Sequence, residues 1–249
     1  MERLLSQLSR WCLDLVFPKH CLGCQTEGSY LCPDCQKLLT ASSNLHCFIC
    51  QRRSPAGFAC SQCLRKTHSL LAGILVAADW ENLLLRQIVY EYKYRFIKEL
   101  ALPLSSLITD FLNLHGIDKL FNCPADQLVI IPVPLHKRRL SWRGFNQSEL
   151  LAKLVVQKFN LPLASDVLLR HRYSLPQMGI TDKNQRRKNI TNSFTLSTKL
   201  TVEQQFFFKN KTIILIDDIS TTAATLEECA KTLKALKPKE IWGLVIARG

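Results

Sequence analysis

Between residues 21 and 63 the chain carries four Cys-x-x-Cys pairs: Cys21/Cys24, Cys32/Cys35, Cys47/Cys50 and Cys60/Cys63. A two-residue gap lets both thiolates of one tight turn face a single metal ion, and two such turns complete a tetrahedral Cys₄ site for zinc. The segment also repeats. His20-Cys-Leu-Gly-Cys, seven residues and Cys-Pro-Asp-Cys are echoed by His46-Cys-Phe-Ile-Cys, nine residues and Cys-Ser-Gln-Cys. The repeat argues for two zinc ions, each on two consecutive pairs; the spacing is also compatible with a crossed arrangement. A redox dithiol comes once in a βαβ setting, not four times among turn residues. Spacing alone does not separate zinc from an iron–sulfur cluster. With every position filled by protein, the metal folds the module and does no chemistry. His20 and His46 read as loop neighbours of the ligands, and Cys12, Cys123 and Cys229 as isolated buried cysteines.

The remaining composition bounds the rest. At 249 residues and 47% hydrophobic, the chain has room for a real core and one sizeable domain beside a small one. Its 11 cysteines cannot form a complete set of internal disulfides. The formal charge of +13 predicts anionic partners, and eight zinc-bound thiolates with two Zn²⁺ bring it to about +9. At the start, Arg10 and Asp14 interrupt the apolar run that a signal peptide needs. Leu4, Leu5, Leu8, Trp11, Cys12 and Leu15 instead fit an amphipathic helix, expected over 1–18 and docked on its own protein. Without a membrane-spanning stretch, the chain reads as cytoplasmic.

Thr212 to Ile216 is an apolar, β-branched run suited to a strand buried on both faces of a parallel sheet. Asp217 and Asp218 stand at its carboxyl end, and a turn of Ser220, Thr221, Thr222, Ala223, Ala224 and Thr225 opens a helix to about Leu236. Open α/β sheets bind ligands at the carboxyl ends of their strands. A helix start rich in hydroxyls suits a phosphate, and adjacent carboxylates suit a sugar diol or Mg²⁺. Together they read as a phosphorylated-sugar site. Gln127 to Val133 is a second buried strand, running into a basic turn with Lys137, Arg138, Arg139 and Arg143, then a helix over Ser148 to Phe159. Cations beyond a strand end suit a pyrophosphate leaving group. Residues Leu169 to Phe194 are polar and basic, with Arg186 and Arg187 placed as lid cations. Ile74 to Trp80 is a candidate strand, and Ile88, Tyr92, Phe96 and Leu100 form a helical stripe that leaves Tyr90 and Tyr94 free to stack on bases.

The run from Ile213 through Thr225 resembles the phosphoribosyl-pyrophosphate motif of type I phosphoribosyltransferases, with Ala223 at the family's glycine. Pro132-Val-Pro-Leu-His136, Arg143-Gly-Phe-Asn-Gln147, Gln177, Arg186-Arg187, Asn189 and the Cys-rich start extend the likeness, which covers nearly the whole chain, to the ComF family of competence-associated proteins. The resemblance implies an α/β fold: a type I phosphoribosyltransferase-like parallel sheet flanked by helices over 70–249, preceded by a double zinc ribbon over 19–68. It implies phosphoribosyl pyrophosphate and Mg²⁺ as ligands. Asp217 and Asp218 would hold the ribose hydroxyls, Thr221 through Thr225 the 5′-phosphate. It also implies a role in DNA uptake or DNA utilisation, with single-stranded DNA and a helicase-like ATPase of the competence machinery as partners. Two functions follow: a phosphoribosyltransferase, or a non-catalytic phosphoribosyl-pyrophosphate sensor that binds single-stranded DNA. Alanine in place of glycine weighs against turnover.

Overall fold

The computed structural model describes residues 18–54, 56–173 and 190–249. The expected N-terminal helix with Cys12, and Gln177, Arg186, Arg187 and Asn189 of the basic segment, lie outside them. Two short helices, α1 (Pro33–Gln36) and α2 (Ser61–Thr67), belong to the cysteine-rich module. Strand β1 (Gly73–Val76) and helices α3 (Leu83–Tyr94), α4 (Ala101–His115) and α5 (Ile117–Phe121) follow. Next come β2 (Leu128–Pro132), α6 (Lys137–Arg143), α7 (Gln147–Phe159), β3 (Leu168–Arg170) and β4 (Phe194–Leu196). The chain finishes with α8 (Val202–Phe207), β5 (Thr212–Ser220), α9 (Ala224–Leu233) and β6 (Glu240–Arg248).

Four strands form one parallel sheet in the order β1-β6-β5-β2. The alternation of the pleat divides the central strand between two cores. Ile214 and Ile216 face one side with Trp242 and Leu244, under α3, α4 and α7. Ile213 and Leu215 face the other with Val129, Ile131 and α9. This is why β2, β5 and β6 read as unbroken apolar runs rather than alternating ones. The second core also takes in Cys47, Phe48, Ala59 and Cys63, so the cysteine-rich module shares the sheet's interior. Phe58 bridges antiparallel to Gly73 on the outer side of β1, and the amide of Ala59 donates to the carbonyl of Ala72 at 2.8 Å. Gly73 is required there: a Cβ would lie 2.4 Å from the Gly57 carbonyl and 2.5 Å from the Trp242 ring.

Three local expectations change. The stripe over Ile88 and Tyr92 is helical, but α3 ends at Tyr94 and Phe96 turns back with φ 60°. Phe96 is therefore half-buried against Trp142, ring centroids 4.7 Å apart, rather than part of the core. The basic turn is a helix, α6, capped by the His136 side chain accepting from the Arg138 amide and ended by Gly144 at φ 73°. Residues at each end of the long polar segment pair as an antiparallel ribbon, Arg170 opposite Phe194.

Candidate functional site

The sequence repeat is a structural repeat. Cys21, Cys24, Cys32 and Cys35 gather in one group and Cys47, Cys50, Cys60 and Cys63 in another, the sulfurs of each within 4.8 Å of one another. Each group thus takes two consecutive pairs, which settles the pairing against the crossed arrangement. The same bonds recur in both: the Cys32 amide donates to Cys21 Sγ and the Cys60 amide to Cys47 Sγ, each at 3.3 Å. Gln25 and Gln51, each following a pair, both turn through positive φ, 64° and 62°. Four clustered thiolates with amides directed at sulfur are a donor set that fits tetrahedral zinc. All eight predicted ligands are brought together.

The second site is a cleft of 640 Å³ at the carboxyl ends of the strands. Its floor is Asp217 and Asp218. Asp217 Oδ1 accepts from Ser148 Oγ and from the Asp218 amide, both at 2.9 Å. Asp218 Oδ1 accepts from the Ile219 amide at 2.6 Å and pairs with Lys93 Nζ at 2.9 Å. Burial, reinforced by the Asp218 charge, lifts the Asp217 carboxyl to about 7, although Lys93 and the Ser148 bond pull it down. Two adjacent carboxylates, one held reluctantly as an anion, suit a hard cation or a diol.

Cations form one wall. Arg139 and Arg143 come from α6 and Arg170 from β3. Burial depresses Arg143 and Arg170, and the charge of Arg139 depresses both further. Crowded guanidinium groups of this kind are relieved by a bound polyanion. Thr221 and Thr225 stand beyond the aspartates. Of the predicted loop, Ser220 is buried with its carbonyl accepting from the Gly249 amide, while Thr222, Ala223 and Ala224 do not line the cleft. Ala223 holds φ 62°, ψ −2°, the left-handed conformation that glycine adopts freely, and caps α9 there. The sequence substitution leaves the turn's geometry glycine-like.

Residues 12–64 match the double zinc ribbon domain family. Over 234 residues the chain is 28% identical to competence protein F of Haemophilus influenzae, covering 92% of this chain and 96% of that protein. The chain is similar over nearly its whole length to a competence protein. Competence protein ComFC of Bacillus subtilis is 27% identical over 82% of this chain and 77% of that one. The DNA utilization protein YhgH of Escherichia coli K12 is 27% identical over 75% and 83%. Among solved structures, TT1426 from Thermus thermophilus aligns with TM-score 0.32 and 13% identity over 58% of this chain and 72% of that one, too loose a likeness to inform the fold.

Several cleft residues escape a reading by sequence. Lys93 sits in a helix of mixed charge, and nothing local announces its ion pair with Asp218 across the fold. Gln147 and Ser148 begin α7; the Asn-Gln-Ser start signals a cap, which Asn146 provides by accepting from the Ser148 amide, but not a cleft wall. Trp80 and Arg86 reach the cleft from the end of β1 and the start of α3. Among the described residues no helix is long and apolar enough to cross a membrane.

Proposed function

We propose that the cleft binds phosphoribosyl pyrophosphate with Mg²⁺ and transfers the phosphoribosyl group, in the service of DNA uptake or DNA utilisation; the relatives' descriptions name competence and DNA utilization. The observation that carries this is the meeting, in one cleft, of Asp217 and Asp218 with Thr221, Thr225 and three arginines. In this reading Asp217 and Asp218 orient the ribose hydroxyls, Thr221 to Thr225 receive the 5′-phosphate, and Arg139 and Arg143 face the pyrophosphate. Arginine charge stabilises the oxygen that departs. Bound Mg²⁺ would neutralise charge on the pyrophosphate, and the two carboxylates are the residues to hold it. Lys93 Nζ, paired with Asp218 at 2.9 Å, holds that carboxylate in place.

A second reading is a phosphoribosyl-pyrophosphate sensor that binds single-stranded DNA without turnover, working beside a helicase-like ATPase. Its support is that the described cleft residues hold no histidine and no carboxylate besides the aspartate pair to act as general base. Calorimetric titration of the zinc-loaded protein with phosphoribosyl pyrophosphate and Mg²⁺, followed by an assay of pyrophosphate release with nucleobases, amines or DNA, separates the two. Release supports the transferase; binding without release supports the sensor; absence of binding removes both. DNA affinity in the sensor reading falls steeply as salt rises.

A further inference from the structure

A second cavity, of 490 Å³, lies between the Cys47 segment of the zinc module and the outer strand β1. It shares only Trp80 and Gly249 with the cleft and contains neither Asp217 nor Asp218. Because the two cysteine groups repeat, a comparison of them isolates what the second has gained. In the first, His20 Nδ1 lies 3.2 Å from the Gln25 carbonyl. In the second, the equivalent His46 ring lines the cavity and makes no hydrogen bond among the described residues. Gln51 instead turns its side chain back, Nε2 donating to the Phe48 carbonyl at 3.2 Å. That carbonyl also accepts from Nη1 of Arg248, the last residue of β6.

Arg248 is half-buried, and among the described residues it pairs with no carboxylate. A guanidinium carries five N–H donors, and a fork with donors to spare is suited to an oxyanion. The surroundings limit the charge that oxyanion can carry. Four thiolates on one Zn²⁺ leave the Cys47 group net negative, and Phe48 follows Cys47 directly. Asp79 lines the same cavity. A phosphate dianion would meet repulsion from both, whereas a carboxylate brings a single charge. Asp79 Oδ1 accepts from the Glu81 amide at 3.0 Å, which leaves Oδ2 to accept from a ligand. Ile74, Val76 and Phe48 add apolar surface to the lining.

We propose that this cavity is a second binding site, for a small amino or hydroxy acid. The carboxylate sits on Arg248, with His46 and Asn44 as further donors, the ammonium or hydroxyl group on Asp79, and the apolar body against Ile74 and Val76. The site is independent of what the cleft binds.

The test is calorimetric titration of full-length, zinc-loaded protein with four compounds of one carbon skeleton: L-leucine, 2-hydroxy-4-methylpentanoate, 4-methylpentanoate and L-leucinamide. The wild type is expected to bind leucine or the hydroxy acid at one site per chain, and the tighter of the two identifies the class. 4-Methylpentanoate, without the donor, should bind about tenfold more weakly, and leucinamide, without the carboxylate, should not bind. Arg248→Gln should weaken the preferred acid at least about tenfold while two zinc ions per chain are retained. Asp79→Asn, at an exposed position, should shrink the preference for that acid over 4-methylpentanoate. Binding of neither acid to the wild type overturns the proposal, and so does equal binding of leucinamide. An affinity that neither variant changes also overturns it, since the ligand would then lie elsewhere. If Arg248→Gln loses zinc, Asp79→Asn decides alone.

Discussion

Asp217→Asn removes a charge that the ligand-free protein carries against its own stability. The amide Oδ1 can still accept from Ser148 Oγ and from the Asp218 amide, the two bonds the carboxylate makes at 2.9 Å. What disappears is a half-buried anion beside Asp218. Those two effects raise Asp217 from the ordinary 3.8 to about 7. The folded value lies above the unfolded one, so the folded chain holds this proton longer. Stability from the group is then greatest in acid and falls as pH rises from about 4 to about 7, after which the loss is constant. Zinc thiolates are vulnerable in acid, so the useful window starts near pH 5.5. Between there and 7 lie about 1.5 pH units at about 1.36 kcal/mol each, or about 2 kcal/mol. For a chain of this size that is about 4–8 °C in Tm. Thermal unfolding followed by circular dichroism, without added Mg²⁺, should show Asp217→Asn gaining on the wild type by this amount between pH 5.5 and 8. Titration with phosphoribosyl pyrophosphate should show its affinity reduced. A variant less stable than wild type at pH 8, or a difference that does not change with pH, would refute the account of a strained carboxylate.

Three other substitutions probe separate links. Ala223→Gly relieves a left-handed Cβ worth about 1–2 kcal/mol and returns about 0.5–1 kcal/mol in chain entropy, so Tm should rise by up to about 6 °C; a fall would show the turn unstrained. Cys47→Ala should lower bound zinc from two to one per chain by metal analysis. It should also destabilise the sheet more than Cys24→Ala, because Cys47 is fully buried in the second core and Cys24 is exposed. Equal effects would contradict a shared interior. Gly73→Ala drives a Cβ against the Gly57 carbonyl and the Trp242 ring and should cost about 1–3 kcal/mol. The change should appear in the near-ultraviolet signal of Trp242, and an unaltered spectrum with unaltered Tm would count against the contact.

What the sequence makes legible is whatever a short stretch of chain decides for itself. Eight cysteines in repeating pairs, apolar runs at Thr212 to Ile216 and Gln127 to Val133, and two aspartates at a strand end carry their meaning within a few residues. The departures come from contacts between distant segments. Phe96 keeps the helical spacing, yet the chain reverses there and the ring finds Trp142. Lys93 meets Asp218 across 125 positions, and Tyr92 meets Gln147 across 55. Neither distance leaves a trace in local periodicity. The pairing of Leu168–Arg170 with Phe194–Leu196 is similar, since both stretches are three residues long and lie among polar neighbours. In the candidate site the aspartates and the arginines of the basic turn were therefore legible, while Lys93, Arg86 and the residues that place the aspartates were not.

The bridge from Phe58 to Gly73 gives the zinc module a second consequence. In the four-stranded sheet β1 is an outer strand, and the opposite outer strand, β2, is bridged at Ile130 by Leu163. An unpaired outer strand is a template on which a second chain can assemble. The segment of Phe58 and Ala59 covers β1 only while the Cys47 group holds its shape. Metal starvation would thus do more than unfold a small module: it would uncover an adhesive border, and chains deprived of zinc should associate with one another before the sheet itself melts.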